Sequence, residues 1–134
     1  MPGIKQVRES VRKNMYELSI HGHFASAHLL RGYEGPCKNL HGHTWKVEVT
    51  ITSEKLNEIG LVADFKDMKK KLNSFLDKID HVNLNDLAAF KTVNPSTENL
   101  AKYIYQEFAK ECRPFPLKCV RVWESETASI TYYE

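Results

Sequence analysis

Apolar and polar residues alternate with a period of two in two stretches of the first half of the chain. From Met15, the residues Tyr16, Leu18 and Ile20 alternate with Glu17, Ser19 and His21. Over 43–53, Trp45, Val47, Val49 and Ile51 alternate with Lys46, Glu48, Thr50 and Thr52. Successive strand side chains point to opposite faces, so each stretch predicts a strand with one buried face. Between them, ASAHLLRGYEGPCKNL carries Gly32, Gly35 and Pro36 and reads as a long loop. Loops beyond about 12–15 residues are uncommon and often functional.

The period then becomes helical. Phe65, Met68, Leu72, Phe75 and Ile79 make one apolar stripe over 65–79. Asp64 is placed to cap this helix, and Asp67 adds a carboxylate to its first turn. Lys69, Lys70 and Lys71 fall mainly away from the stripe and predict a solvated face. A second helix is expected around Asn94-Pro95-Ser96-Thr97, with Pro95 at its first position. Its buried stripe is Leu100, Tyr103, Ile104 and Phe108, and Pro114 and Pro116 end it. Two short strands near 118–125 and 128–133 complete the order ββααββ. The simplest packing is an α+β domain, a four-stranded antiparallel sheet with two helices on one face. Residues 1–14 are polar and are expected to form an N-terminal arm, with 15–134 as a single domain.

The bulk numbers agree with one ordinary domain. The chain has 134 residues, 42% hydrophobic and 27% charged, enough to bury a core without staples. A formal charge of +2 gives no electrostatic argument for nucleic acid. No stretch approaches the roughly 18 apolar residues that span a bilayer, so no membrane is expected. The N-terminus lacks the apolar run of a signal peptide. Three cysteines, Cys37, Cys112 and Cys119, make an odd count without paired close spacings. That favours a reducing compartment, and the cytoplasm is expected.

Five of the six histidines, at 21, 23, 28, 41 and 43, fall within 23 residues. Neutral imidazole suits a borderline-soft ion such as zinc. Two copies of His-Gly-His occur, His21-Gly22-His23 and His41-Gly42-His43, and on a strand either pair shares a face and can grip one metal. A lone pair of this kind is more often incidental, but two pairs plus His28 favour a metal. A third histidine completes a three-histidine site with one open position, the arrangement of catalytic zinc. Spacing does not choose between the pairs. Cys37 lies four residues before His41, in a loop bracketed by glycine and proline. It is either a fourth ligand closing a structural site or a thiolate beside an open metal, its pKa lowered by positive charge.

Taken together, these residues resemble a known signature. Phe24-Ala25-Ser26-Ala27-His28, then Cys37-x-x-x-His41-Gly42-His43, is similar to the family of 6-pyruvoyl- and 6-carboxy-tetrahydropterin synthases. The likeness continues through Gly60-Leu61-Val62-Ala63-Asp64-Phe65, Ile79-Asp80-His81-x-x-Leu84-Asn85 and Asn94-Pro95-Ser96-Thr97-Glu98-Asn99 to Val122-Trp123-Glu124-Ser125.

The resemblance implies zinc on His28, His41 and His43, leaving the His21/His23 pair as a decoy. It implies Cys37 as catalytic cysteine, with Asp80 and His81 as its acid–base partners. It implies that Glu124 anchors the pterin by accepting from its 2-amino group and ring N–H. Ser96, Thr97 and Glu98 are expected to line the pterin pocket. The implied architecture is the tunnelling fold, in which subunits join sheets into barrels as trimers stacked into hexamers, with active sites at the interfaces. The implied substrate is 7,8-dihydroneopterin triphosphate, with Lys38, Arg31 and Lys46 as open candidates for its phosphates.

The expected reaction is zinc-dependent conversion to 6-carboxy-5,6,7,8-tetrahydropterin with release of acetaldehyde and triphosphate, towards a queuosine precursor. The pyruvoyl-forming branch, serving tetrahydrobiopterin synthesis, is the alternative. A branch making a hydroxymethyl pterin typically has glutamate for the cysteine, and Cys37 argues against it. Outside the family stand a three-histidine zinc hydrolase or hydratase, which needs neither Cys37 nor Glu124, and a non-catalytic zinc-stabilised module.

The same residues carry independent chemistry. A carboxylate that fixes a histidine tautomer, as Asp80 beside His81, is a recurring acid–base device. Glu124 shares strand parity with Val120 and Val122, so it is expected on the face those valines cover. An unpaired carboxylate there is costly and calls for a cation or a ligand with paired donors.

Overall fold

The computed structural model describes residues 14–134. The arm expected over 1–14 therefore lies, but for Asn14, outside the described residues. Strands β1 (Tyr16–His28), β2 (His41–Ser53), β3 (Leu117–Ser125) and β4 (Ala128–Tyr132) form one sheet in that order. Every neighbouring pair is antiparallel. Two helices, α1 (Phe65–Leu76) and α2 (Thr97–Glu111), follow β2, so the order ββααββ holds. Helix α1 packs on β1, and α2 packs on β3 and β4.

The core sits between this helical layer and the sheet. Leu18, Ile20 and Phe24 of β1, Trp45, Val47, Val49 and Ile51 of β2, and Val120 and Val122 of β3 are all buried. They meet Met68, Leu72, Phe75 and Leu76 of α1 and Leu100, Ile104 and Phe108 of α2. The opposite face of the sheet carries His21, His23, Lys46, Glu48 and Arg121, with Trp123 among them. Lys69, Lys70 and Lys71 are exposed, as their position off the stripe implies.

Strand β1 runs eight residues beyond Ile20, into what the sequence reads as loop. Its inward positions there are Gly22, Phe24, Ser26 and His28, and only Phe24 is strongly apolar. Hydrophobicity stops alternating while side-chain direction does not. The pairing carries on through Phe24↔Trp45 and Ser26↔His43 to His28↔His41, leaving 29–40 as the connection.

Gly22 is inward because α1 crosses β1 there. A Cβ at this position lies 2.7 Å from Leu76 Cδ1 and 3.2 Å from Leu72 Cδ2. Gly22→Val is expected to destabilise the fold by about 1–3 kcal/mol through overpacking. Chemical denaturation checks it; an unchanged midpoint would mean that the helix is not seated on this glycine.

Three helix details differ from expectation. Helix α1 ends at Leu76, and Ile79 is buried from a 3-10 turn (Asp77–Ile79) that follows it. Phe65, expected on the buried stripe, is 60% exposed, because it stands in the first turn, clear of the core. Pro95, expected at the first helical position, precedes the cap instead. Ser96 is the N-cap and its hydroxyl accepts from Asn99 N–H, which starts α2 at Thr97. Asp64 caps α1 as expected, accepting from Lys66 N–H at 2.8 Å.

Candidate metal centre

The last residue of β1 and the first and third of β2 bring three imidazoles together on the inward face. Ring centroids lie 4.6 Å apart for His28 and His41, 4.7 Å for His41 and His43, and 5.1 Å for His28 and His43. Trp45, fully buried, floors the group at 4.9 Å from His28 and 5.1 Å from His43. Glu124, near the end of β3, completes it. One ligating atom from each of His28, His41, His43 and Glu124 lies within 4.8 Å of all the others.

The hydrogen bonds around these rings decide which nitrogens face inward. Backbone carbonyls only accept, so His28 Nδ1 donates to Pro95 O at 2.7 Å, and His41 Nδ1 donates to Asn39 O at 2.7 Å. In the neutral rings each Nε2 then carries a lone pair. These two nitrogens face each other at 3.0 Å. His43 Nε2 is buried without a hydrogen-bond partner; Glu124 Oε1 is 3.0 Å away but outside hydrogen-bonding geometry. Acceptors pointed at one another call for a cation between them, and the donor set fits a zinc-type ion. Burial lowers the pKa of His28, with the neighbouring His41 and His43 adding to the effect against the opposing Pro95 bond and Glu124. Burial likewise lowers that of His43, against the pull of Glu124. Both shifts favour the neutral, ligating form. A carbonyl that accepts from the outer ring N–H and so fixes the tautomer is the usual companion of a metal-binding histidine.

The connection after His28 is tied down by two asparagines. Asn85 accepts from Leu29 N–H and donates to Leu29 O, and Asn94 does the same for Arg31. Asn99 Nδ2 donates to Asn94 O, so the start of α2 is pinned against this connection and Pro95 O is presented to His28. Sequence reasoning missed these positioning roles, as it did that of Trp45. Asn85, Asn94 and Asn99 stood in the sequence as parts of the motifs of resemblance, and an amide that can bond a backbone N–H and C=O together was the signal for a clamp.

The remaining expected residues are placed as follows. Thr97 Oγ1 donates to Glu124 Oε2 at 3.0 Å, and Trp45 Nε1 donates to Thr97 Oγ1 at 3.4 Å. Ser96 is occupied in the α2 cap, and Glu98 is exposed in its first turn. Cys37 lies half-buried on a short turn (Pro36–Lys38), its carbonyl accepting from Leu30 N–H. It is not in the ligating group, so the fourth-ligand option for Cys37 is not the geometry seen.

Asp80 Oδ1 accepts from Ala25 N–H at 2.7 Å, and its Oδ2 is 2.7 Å from His81 Nδ1. The Ala25 amide, then His81, holds the Asp80 carboxyl below its usual range. His81 has φ 54°, held by its N–H donating to Ala25 O. That left-handed conformation costs about 1–2 kcal/mol in a non-glycine residue. It presents a ring whose side chain is 82% exposed, and it shares a hollow with His43.

His21 and His23 lie on the opposite face of the sheet. His21 Nε2 meets Glu48 Oε2 at 2.5 Å, its ring edge towards Trp123, and His23 is exposed. Strand parity separates them from His28: odd positions of β1 face away from the core. Lys46 stacks over Trp123 on that face, and Arg31 donates to Phe90 O.

Comparison with known proteins agrees with this geometry. A family model described as 6-pyruvoyl tetrahydropterin synthase matches residues 17–134. The chain is 29% identical to the 6-carboxy-5,6,7,8-tetrahydropterin synthase of Haemophilus influenzae, over 90% of this chain and 100% of that protein. It is 34% identical to the human 6-pyruvoyl tetrahydrobiopterin synthase, over 73% of this chain and 70% of that protein. The solved structure of Caenorhabditis elegans 6-pyruvoyl tetrahydropterin synthase superposes with a TM-score of 0.81 at 28% identity, covering 92% of this chain and 98% of the other. The sheet and its two helices are thus the tunnelling fold. With a model matching nearly the whole described chain, the protein belongs to the 6-pyruvoyl tetrahydropterin synthase family of enzymes.

Proposed function

We propose that this chain is a zinc enzyme converting 7,8-dihydroneopterin triphosphate and water to 6-carboxy-5,6,7,8-tetrahydropterin, with release of acetaldehyde and triphosphate. The observation that carries it is the set of three imidazoles whose ligating nitrogens converge beside a carboxylate. His28, His41 and His43 hold the ion. A zinc ion bound there supplies Lewis acidity to the oxygens of the pterin side chain. Cys37, as thiolate, takes a proton from the adjacent carbon, and His81, oriented by Asp80, returns one. Glu124 accepts from the 2-amino group and ring N–H of the pterin, and Ser96, Thr97 and Glu98 line its pocket. Lys38, exposed beside Cys37, is the cation assigned to the triphosphate, since Arg31 and Lys46 are engaged elsewhere.

The active sites lie between subunits of a homo-oligomer, a trimer or a hexamer. Strand β4 and the first half of β1 are sheet edges with no strand beside them among the described residues, an arrangement that invites pairing with another chain, while residues 80–83 cover the later part of β1. Exposed Tyr16, Leu56, Leu61 and Phe65 line one hollow beside β1. No described helix is long and apolar enough to cross a membrane. The reading places the enzyme in the cytoplasm, in keeping with free Cys37, Cys112 and Cys119.

Relatives of both names match most of the chain, so the family match supports the carboxy-forming and the pyruvoyl-forming branch alike. Product analysis decides: zinc-loaded protein and dihydroneopterin triphosphate should yield acetaldehyde, whereas a pyruvoyl pterin without acetaldehyde would assign the other branch. Cys37→Ala should lower turnover by about 10²–10⁴-fold, the range for a lost proton-transfer group, at unchanged metal content. Undiminished turnover in that variant would point to a metal hydrolase instead.

A further inference from the structure

Glu124 stands in two relations at once. One carboxylate oxygen faces the histidines, and the other is held by Thr97. Tryptophan only donates, so Thr97 Oγ1 accepts from Trp45 and its single proton goes to Glu124 Oε2. Thr97 is 5% exposed, so this anchor is fixed by packing. Oε1 is left 3.0 Å from the orphaned His43 Nε2, with no hydrogen bond between them. Zinc–nitrogen and zinc–oxygen bonds of about 2.0–2.2 Å put the corners of a tetrahedron roughly 3.4 Å apart. The four-atom group, all within 4.8 Å and with two contacts at 3.0 Å, is close to that figure.

We propose that Glu124 is the fourth metal ligand while no substrate is bound, and that the pterin draws Oε1 off the metal onto its own N–H donors. This rests on the proposed reading of the site, and adds a switch to it. Thr97 keeps Oε2 in both states, so the exchange needs only a turn of the carboxylate. Three neutral imidazoles and one carboxylate leave a divalent ion with a net charge of +1. Departure of Oε1 restores +2 and opens the fourth position together. The site is a damped Lewis acid at rest and a full one only when the pterin has docked.

The test uses the full chain loaded with cobalt(II), whose visible absorption reports ligand number and type. Glu124→Gln, nearly isosteric and at a partly exposed strand end, should alter the spectrum and weaken cobalt binding about 10–100-fold in chelator competition. Thr97→Val should move both in the same direction by less. Adding unphosphorylated pterin to the wild-type protein should shift its spectrum towards that of Glu124→Gln, while that variant barely responds.

Identical spectra and affinities for wild type and Glu124→Gln would overturn the ligand role. A wild-type spectrum unmoved by pterin that fluorescence shows to be bound would overturn the exchange. Pterin that does not bind at all would instead sink the proposed function, leaving the substrate-free spectra to stand on their own. Far-ultraviolet circular dichroism checks that each variant is folded, and Thr97→Val carries the test if Glu124→Gln is not.

Discussion

His41→Ala should abolish stoichiometric metal binding and lower turnover by about a thousandfold or more, while His21→Ala should leave both near wild type. A bound Lewis acid contributes several kcal/mol to the transition state, and each 1.36 kcal/mol is tenfold in rate. His41 suits the test because it is only half-buried, so its loss removes a ligand without opening the core. His21 belongs to an equally suggestive His-Gly-His pair but faces Glu48 on the far side of the sheet. Metal content by elemental analysis, and product formation, would be measured for both. Zinc retained at one per chain in His41→Ala, or lost in His21→Ala, would refute the assignment.

Trp45→Ala should cost about 3–5 kcal/mol, the range for truncating a buried aromatic, and lower Tm by roughly 10–20 °C. The indole is fully buried and stacks on Phe24 at 5.1 Å. It is also the wall against which His28 and His43 stand, and it orients Thr97. Metal affinity should therefore fall along with stability. Phe108→Ala, a comparable loss in the core where α2 meets Phe75, should lower Tm while leaving metal affinity nearly intact. Equal metal affinities in the two variants would show that Trp45 is core packing and nothing more.

Much of the candidate metal centre was legible from residue types alone, yet the choice between the two histidine pairs was not made from them. The distinguishing signal was strand parity. His41 and His43 share the parity of Trp45, Val47 and Val49, and His28 that of Leu18 and Ile20, whereas His21 and His23 fall on the polar parity. The reading stopped β1 too early, because Gly22 and Ser26 interrupt the apolar pattern. Both have reasons that are not local: Gly22 makes room for Leu76, and Ser26 donates to Ile79 O. Phe65 misled in the opposite sense, since helical periodicity says which face a residue is on but not how far along the helix the core extends.

Element order, the antiparallel α+β class and the residue types that gather at the site follow from the order of amino acids, because periodicity and ligand chemistry are local properties. Packing in three dimensions is what brings Pro95 O and Asn39 O to fix the tautomers of His28 and His41, and Asn85 and Asn94 to clamp the chain between those two histidines. It alone set Glu124 against His43. These contacts join segments up to 81 positions apart, from residue 43 to residue 124. Their geometry depends on sheet register and helix seating, which no spacing along the chain encodes.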